Sequence, residues 1–497
     1  MSPDAVGTTK QSPENRAFHT PNDLTPAPLL EGEGRNNTKG LRPFELSRGS
    51  GRAVSVICAL AAASPFPYTG RMTSKDPVAE LEAKGMAAKS AAHKLAYLST
   101  EVKNRALVSI SHDLQAKHEA ILIANRKDLD EARRSGMGDA MLDRLLLNAG
   151  RLEGMARDVL AVVALPDPVG EVFDMRTMPN GLLLGRKRVP LGVIGAIYES
   201  RPNVTIDISV LCLKAGNAVI LRGGREAINS NAALVKLVQD ACARAGMPEG
   251  AVQFVDNTDR ALVEVMLHMN DCIDLLVPRG GSELIKFVAA NATMPTVTGG
   301  IGVCHEFIDR TADIARAVAI TYNAKVQRPT VCNALDCVLL HQDIAAEALP
   351  KIAAELAKAG VEMHCDERSL AILRRQSGLK LVPAVPEDWG KEFLALVAAI
   401  KVVDSLDEAL EHIEQYGSGH TEAILTEDYA AALRFLNEVD AACVFVNAST
   451  RFTDGGQFGL GAEVGISTQK MHARGPLGLK ELTSYKWIAF GSGQVRA

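Results

Sequence analysis

At 497 residues the chain has room for two or three domains and a large buried core. Its 47% hydrophobic and 23% charged content is that of an ordinary soluble protein, and a net charge of -5 argues against a nucleic-acid-binding surface as its main role. Its nine cysteines, an odd number with no CxxC pair, fit neither a disulfide framework nor a zinc site; no apolar run reaches the roughly 18–20 residues of a membrane span, and together these features predict a cytoplasmic protein without metal or membrane contact.

Residues 1 to about 72 are rich in Pro, Gly, Ser, Thr and Asn and carry no sustained period, so a disordered N-terminal extension is predicted over 1–72. The apolar patch 53–63, preceded by Arg48 and Arg52, lies too far inside the chain for a signal peptide. Asp4, Glu14, Asp23, Glu31 and Glu33 are wrong for an acid-poor transit peptide. A true start at Met72 accounts for the stretch equally well.

From 76 to about 165 apolar residues recur at three and four (Leu95, Leu98, Val102, Leu107, Ile110, Leu114), which predicts a helical scaffold. Segment 169–189 has a Pro179-Asn180-Gly181 turn between extended runs, the signal of a hairpin. A surface hairpin of the same domain and an arm that pairs with another subunit are equal alternatives. Over 189–231, short buried strands at 193–197 and 218–221 flank an apolar helix, and the second strand runs into Arg222-Gly223-Gly224-Arg225. This is a β-α-β unit ending in a basic glycine turn, where ligands of open α/β sheets bind. Glycine lets backbone come close to a ligand, and two arginines favour a phosphorylated one.

The alternation continues with a helix at 232–245 and strands at 252–255 and 274–277. The last leads into Pro278-Arg279-Gly280-Gly281-Ser282 and a helix at 283–290. First-turn N–H groups lack partners and attract anions, although Ser282 as an ordinary cap is the plainer alternative. Beside the earlier Arg-Gly-Gly turn a dinucleotide is the better expectation, though GxGxxG is absent. Residues 296–304, TVTGGIGVC, are expected as a strand into a glycine turn.

The stretch 321–337, TYNAKVQRPTVCNALDC, is centred on Cys332. Pro329 biases Arg328 toward extended geometry, so a bend is predicted just ahead of the cysteine. A thiol there, near backbone N–H groups, is placed to be held as thiolate; the common alternative is a buried cysteine with no chemistry. Residues 338–340, a helix from 344 and 400–403 predict a second α/β sheet. Residues 418–422 read as a polar loop whose His420 is a base or, more ordinarily, a structural residue. A strand at 444–447 empties into Ser449, Thr450 and Arg451, groups suited to a substrate carboxylate. The tail 482–490 reads as a strand.

The order of these turns resembles the aldehyde dehydrogenase superfamily and, within it, the γ-glutamyl phosphate reductase family, from about Met72 to the C-terminus. The matching stretches are YESRPNVT at 198–205, LRGGREA at 221–227, VPRGG at 277–281, NAKVQRPTVCNA at 323–334, VDSLDEALEHIEQYGSGHTEAI at 403–424 and STQKMHARGPLGLKELTSYKW at 467–487. The resemblance implies two Rossmann-like α/β domains plus an oligomerisation β-hairpin. It divides them into an NADP-binding domain (73–168 and 190–297), a hairpin and tail (169–189 and 477–497) and a catalytic domain (298–476), in a homo-oligomer. It implies Cys332 as nucleophile, with its own N–H and Asn203 (Ser200 behind it) as oxyanion donors. NADPH would be held by Arg222, Gly223, Gly224, Arg225, Arg279, Gly280, Gly281, Ser282 and Glu392. Ser200, Arg328, Ser449, Thr450 and Arg451 would meet the substrate.

The activity implied is reduction of γ-glutamyl 5-phosphate to glutamate 5-semialdehyde through a cysteine thioester, a step of proline biosynthesis. A separate glutamate 5-kinase would supply the acyl phosphate and touch the enzyme transiently. Thr298 stands where oxidative relatives carry the glutamate that activates water, and its absence suits an enzyme that must keep water off a thioester. Arg222 and Arg225 stand where NAD-preferring relatives have lysine and glutamate, which favours NADPH. The rival readings are an NAD-linked oxidative aldehyde dehydrogenase and a non-enzymatic relative that only binds.

Overall fold

A computed structural model of the chain describes residues 76–496; the expectations for 1–72, including the start at Met72, lie outside the described residues. Helices α1 (Pro77–Leu95), α2 (Thr100–Ala116), α3 (His118–Arg134), α4 (Asp139–Leu145) and α5 (Ala149–Ala164) open the described chain. Asp76, Ser99 and Asn148 cap the first, second and last of these, each side chain accepting a first-turn N–H. The residues spaced by three and four (Leu95, Leu107, Ile110, Leu114) are fully buried and join one core with the sheet that follows.

Strands β1 (Val172–Thr177) and β2 (Leu183–Pro190) form an antiparallel hairpin. Gly181 supplies the turn's positive φ of 83°. Then come β3 (Val193–Tyr198), α6 (Asn203–Lys214), β4 (Ala218–Gly223), α7 (Ile228–Ala245), β5 (Val252–Phe254), α8 (Ala261–Met266), β6 (Leu275–Arg279) and α9 (Ser282–Asn291). Their strands make a parallel sheet in the order β5-β4-β3-β6. The chain runs outward from β3 on one side and returns to pair on the other. The carboxyl end of β3 is therefore the switch point, where such sheets open a crevice.

The remaining elements are β7 (Cys304–Ile308), α10 (Ile314–Val326), β8 (Leu335–His341), α11 (Gln342–Lys358), β9 (Glu362–Cys365), α12 (Glu367–Leu373), β10 (Lys380–Pro383), β11 (Val397–Val403), α13 (Leu406–Tyr416), β12 (Thr421–Leu425), α14 (Tyr429–Glu438) and β13 (Cys443–Val446). They build a seven-stranded parallel sheet, β10-β9-β11-β8-β7-β12-β13, whose central strands are buried along their length. Short β14 (Ile466–Ser467) pairs with β15 (Gly475–Pro476), and β16 (Thr483–Phe490) pairs antiparallel with β2, extending the hairpin to three strands. The α/β class read from the sequence is the one found.

Two local expectations fail. No strand precedes the 299–302 glycines; only a single bridge, Leu276 to Thr296, forms, and β7 begins after them at Cys304. The glycines are instead packed against other backbone: a Cβ on Gly302 would lie 1.7 Å from the Cys332 carbonyl oxygen and one on Gly299 2.5 Å from that of Ile466. Nor is 418–422 all loop, because Thr421 and Glu422 open β12 and are fully buried. Glu422 accepts from the backbone N–H of His305 at 2.8 Å and faces its Nδ1 at 3.0 Å, so polarity there is internal, though Glu422 Oε1 and His305 Nε2 stay without partners.

Candidate active site

Cys332 lies in the turn between α10 and β8, at the amino end of the larger sheet. Asn333 is buried; its Nδ2 donates to the Thr453 carbonyl at 2.8 Å, and its own carbonyl accepts from Thr450 Oγ1 at 2.8 Å. On the other side the Gly302 backbone presses on the Cys332 carbonyl, and Cys304 Sγ sits 3.3 Å from the same oxygen. Gly302 N–H in turn donates to Glu392 Oε1 at 3.1 Å. Arg144 of α4 reaches across to donate to the Thr330 carbonyl at 3.1 Å. The nucleophile candidate is thus clamped from three sides.

Burial pushes the Cys332 thiol up to about 11, Arg279 and Arg201 pull it back, and Glu463 and Glu392 add to the rise. Cys332 keeps some solvent exposure, yet protein packed around the sulfur desolvates a thiolate, so the expected resting thiolate gives way to a thiol. The opposing cations are a finding of the structure. Arg201, two residues ahead of α6, is lowered to about 10, by burial first and then by repulsion from Arg279 and Arg144. Arg451 donates through Nε to Gln327 Oε1 at 3.1 Å, and its charge also reaches Cys332. Arg328 is exposed near them.

Asn203 is the first residue of α6, and its Nδ2 donates to Asp207 Oδ2 at 2.9 Å. Burial raises the Asp207 carboxyl to about 7. One amide proton of Asn203 is thereby held and the other is left for a ligand. The hydroxyls of Ser200 and Thr450, expected to meet the substrate, donate within the protein, while that of Ser449 keeps its proton. Ser200, at φ 46°, gives both its N–H (2.7 Å) and its hydroxyl (2.8 Å) to Glu226 Oε1. Ser449 Oγ accepts from Arg451 N–H at 3.3 Å, and the Thr450 hydroxyl is spent on Asn333. These are buried framework groups that shape the cysteine turn and the β3 end.

Arg222, near the end of β4, donates to the Thr258 carbonyl at 3.3 Å and keeps a buried Nε without partner; Arg225 is exposed in the short turn Arg225–Ala227. Gly223 and Gly224 are tight, with added Cβ atoms only 2.1 Å from Asn231 Nδ2 and Glu226 Oε1. The α9 terminus is capped by Gly281 rather than Ser282, and Gly281 N–H donates to Glu199 Oε2 at 2.9 Å. A carboxylate already sits where an anion was expected, and a cofactor phosphate would displace the exposed Glu199 side chain. Arg279, expected on the cofactor side, lies instead over Gly465, whose Cβ would be 3.1 Å from its Nη1, and acts on Cys332. An orphaned guanidinium N–H, an anion-filled helix terminus and glycines that admit backbone contact together suit a phosphorylated cofactor.

His305, Cys337 and His412 meet inside the larger sheet, one nitrogen of each imidazole and the sulfur within 4.8 Å of one another. Lys401 Nζ lies 3.5 Å from His412 Nδ1, and His412 Nε2 lies 3.7 Å from Cys337 Sγ. An ammonium donating to Nδ1 leaves the proton on Nε2, facing the sulfur, which makes a polar core chain of this group and not a vacant ligand set. His420 is also buried, with Nδ1 2.8 Å from Thr421 Oγ1 and Nε2 unpartnered.

Sequence reasoning missed Arg201, Arg144, Glu463 and Gly302. Arg201 had a signal available, since it follows the carboxyl end of a buried strand at a β-α turn. The others are joined to Cys332 only by folding.

The chain matches the Aldehyde dehydrogenase family over residues 68–372 and 381–488. It is 63% identical over 417 residues to the gamma-glutamyl phosphate reductase of Dehalococcoides mccartyi strain CBDB1, covering 84% of this chain and 98% of that protein. It is 54% identical to that of Salmonella paratyphi C, covering 84% and 100%. The crystal structure of gamma-glutamyl phosphate reductase from Thermotoga maritima superposes with a TM-score of 0.81 at 48% identity, over 85% of this chain and all of that one.

Proposed function

The chain belongs to the aldehyde dehydrogenase family and, within it, to the γ-glutamyl phosphate reductases, and we propose how its residues carry that reaction. It reduces γ-glutamyl phosphate, an oxidoreductase step of proline biosynthesis. Cys332 attacks the acyl carbon, forming an S–C bond. Phosphate leaves with the C–O bonding pair, takes up the thiol proton and leaves a thioester. NADPH, when bound by Arg222, Arg225, the glycines Gly223, Gly224, Gly280 and Gly281, Ser282 and Glu392, would supply the hydride; the C–S bond then breaks with its pair returning to the Cys332 sulfur, which frees the aldehyde and regenerates the thiolate. The Cys332 N–H and the free amide proton of Asn203 meet the oxyanion of each tetrahedral adduct. Arg328 and Arg451 face the glutamyl end. Thr298 has no group able to activate water, and its N–H is tied to Gln469 Oε1 at 3.2 Å. The thioester therefore waits for hydride, not hydrolysis.

The observation that carries this reading is a cysteine set among arginines beside a loop without a general base at Thr298. The active unit is a homo-oligomer in the cytoplasm, supplied with acyl phosphate by a separate kinase. The test follows oxidation of glutamate 5-semialdehyde with NADP+ in the parent and in Cys332→Ser. Activity that needs phosphate and vanishes in the variant supports the assignment. Phosphate-independent turnover would instead mean that water resolves the thioester, and undiminished activity in Cys332→Ser removes the cysteine from the reaction.

A further inference from the structure

Two guanidiniums beside Cys332 are left without partners. Arg279 ends β6 and pairs in register with Tyr198, the last residue of β3, while Arg201 lies three residues further along the same edge. Among the described residues neither makes an ion pair or a hydrogen bond, whereas Arg144 and Arg451, close by, donate to Thr330 and Gln327. Both uncommitted cations thus sit at the carboxyl edge of the smaller sheet, and the charge of each reaches Cys332. Arg279 is braced on Gly465, where a side chain would crowd it.

Half-buried like charges left unpaired are costly in a free protein, and here burial first, then the charge of Arg279, lowers the affinity of Arg201 for its proton. What recovers that cost is a multiply charged anion, and the planar guanidinium fork matches phosphate oxygens two at a time. A carboxylate has one charge and fits one fork; a phosphoryl dianion fits two. Glu463, whose charge reaches Arg279, makes no ion pair or hydrogen bond with either guanidinium among the described residues and instead accepts from the Gly455 N–H at 2.7 Å.

We propose that Arg201 and Arg279 form the site that holds the phosphoryl group of the substrate against Cys332 and receives inorganic phosphate as it leaves. The assignment rests on the reading of the reaction as acyl-phosphate reduction at Cys332. As the S–C bond forms and the C–O bond breaks, negative charge moves onto the departing phosphate, where the two forks already lie. In the reverse direction the same site positions phosphate to attack the thioester and expel the Cys332 thiolate.

The test uses the full chain with Arg201→Gln and Arg201→Lys, and inorganic phosphate as the probe. In the reverse assay Arg201→Gln raises the KM for phosphate by about tenfold or more, the scale of a lost charge-assisted pair, and leaves the KM for NADP+ near that of the parent. Arg201→Lys, which keeps a charge but loses the fork, falls between. Independently of turnover, phosphate slows iodoacetamide labelling of Cys332 in the parent and not in Arg201→Gln, while chloride at matched ionic strength protects neither. An unchanged phosphate KM overturns the proposal, as does equal protection by phosphate in the parent and in Arg201→Gln. Should Arg201→Gln melt far below the parent, Arg201→Lys decides on the same two readouts. If Cys332→Ser is inactive while Arg201→Gln titrates phosphate normally, this assignment alone falls; if Cys332→Ser remains active, the reaction reading falls with it.

Discussion

Cys332 was legible in the sequence because proline and glycine punctuate the chain around it; its protonation was not, because desolvation comes from atoms distant in sequence. A thiol held near 11 makes a direct prediction. The thiolate fraction, and with it the iodoacetamide rate at Cys332, rises about tenfold per pH unit between neutrality and pH ~10, where an ordinary thiol levels off near its usual ~8.5. A rate that is flat above about pH 8.5 contradicts the burial argument. Glu306 on β7 carries a second titration, its carboxyl raised to about 8 by burial, with only the Thr321 hydroxyl as partner and Oε2 bare. The folded chain keeps this group protonated where the unfolded chain ionises, so its contribution is complete below the ordinary carboxylate range and is lost as pH rises through about 8. Glu306→Gln has no such loss. Its melting temperature relative to the parent must therefore climb from pH 6 to pH 9; a constant difference shows that Glu306 does not titrate in that window.

Elements followed their patterns where burial dictates period, as in the capped helices and the β3 and β8 strands, and departed from them where backbone meets backbone. The 299–302 glycines looked like a strand ending in a turn, but they are the surface on which Cys332 rests, a contact that no local signal encodes. The hairpin was readable from Pro179-Asn180-Gly181, and its completion by β16 is fixed by packing. Arg186 on β2 lies 4.7 Å from the ring centres of both Tyr485 and Trp487, a stacked cation that no single strand announces. The first helices are tied to this region by Lys103 and Asp167, 2.9 Å apart and almost fully buried, with Asp167 also accepting from Thr100 Oγ1 and Val169 N–H. Removing one member strands the other's charge, so Lys103→Met should cost about 3–5 kcal/mol in denaturant unfolding, and Asp167→Asn added to it should recover part of that. A loss below about 1 kcal/mol, the range of an exposed pair, would mean that water reaches the site.

At the scale of the molecule, the two parallel sheets present opposite edges to the site. The smaller offers the carboxyl ends of β3, β4 and β6, bearing Arg201, Arg222 and Arg279. The larger offers the turns that enter β7, β8 and β12, bearing Gly302, Cys332 and His420. The strand-end rule for open sheets located the first half from sequence and gives no hint of the second, where the bend at Pro329 pointed to Cys332 and the family resemblance implied its role. This division also separates cofactor choice from chemistry. Arg222 is anchored to the Thr258 carbonyl, while Arg225 is exposed and uncommitted, so Arg225 is free to discriminate a 2′-phosphate and Arg222 to frame the turn. If NADPH binds as proposed, Arg225→Glu would replace attraction by repulsion at that phosphate. It should cut kcat/KM with NADPH by about tenfold or more, the scale of a charged contact near a surface, while kcat/KM with NADH changes little and Cys332 labelling stays as in the parent. Equal losses with both cofactors would remove Arg225 from the proposed recognition of a 2′-phosphate.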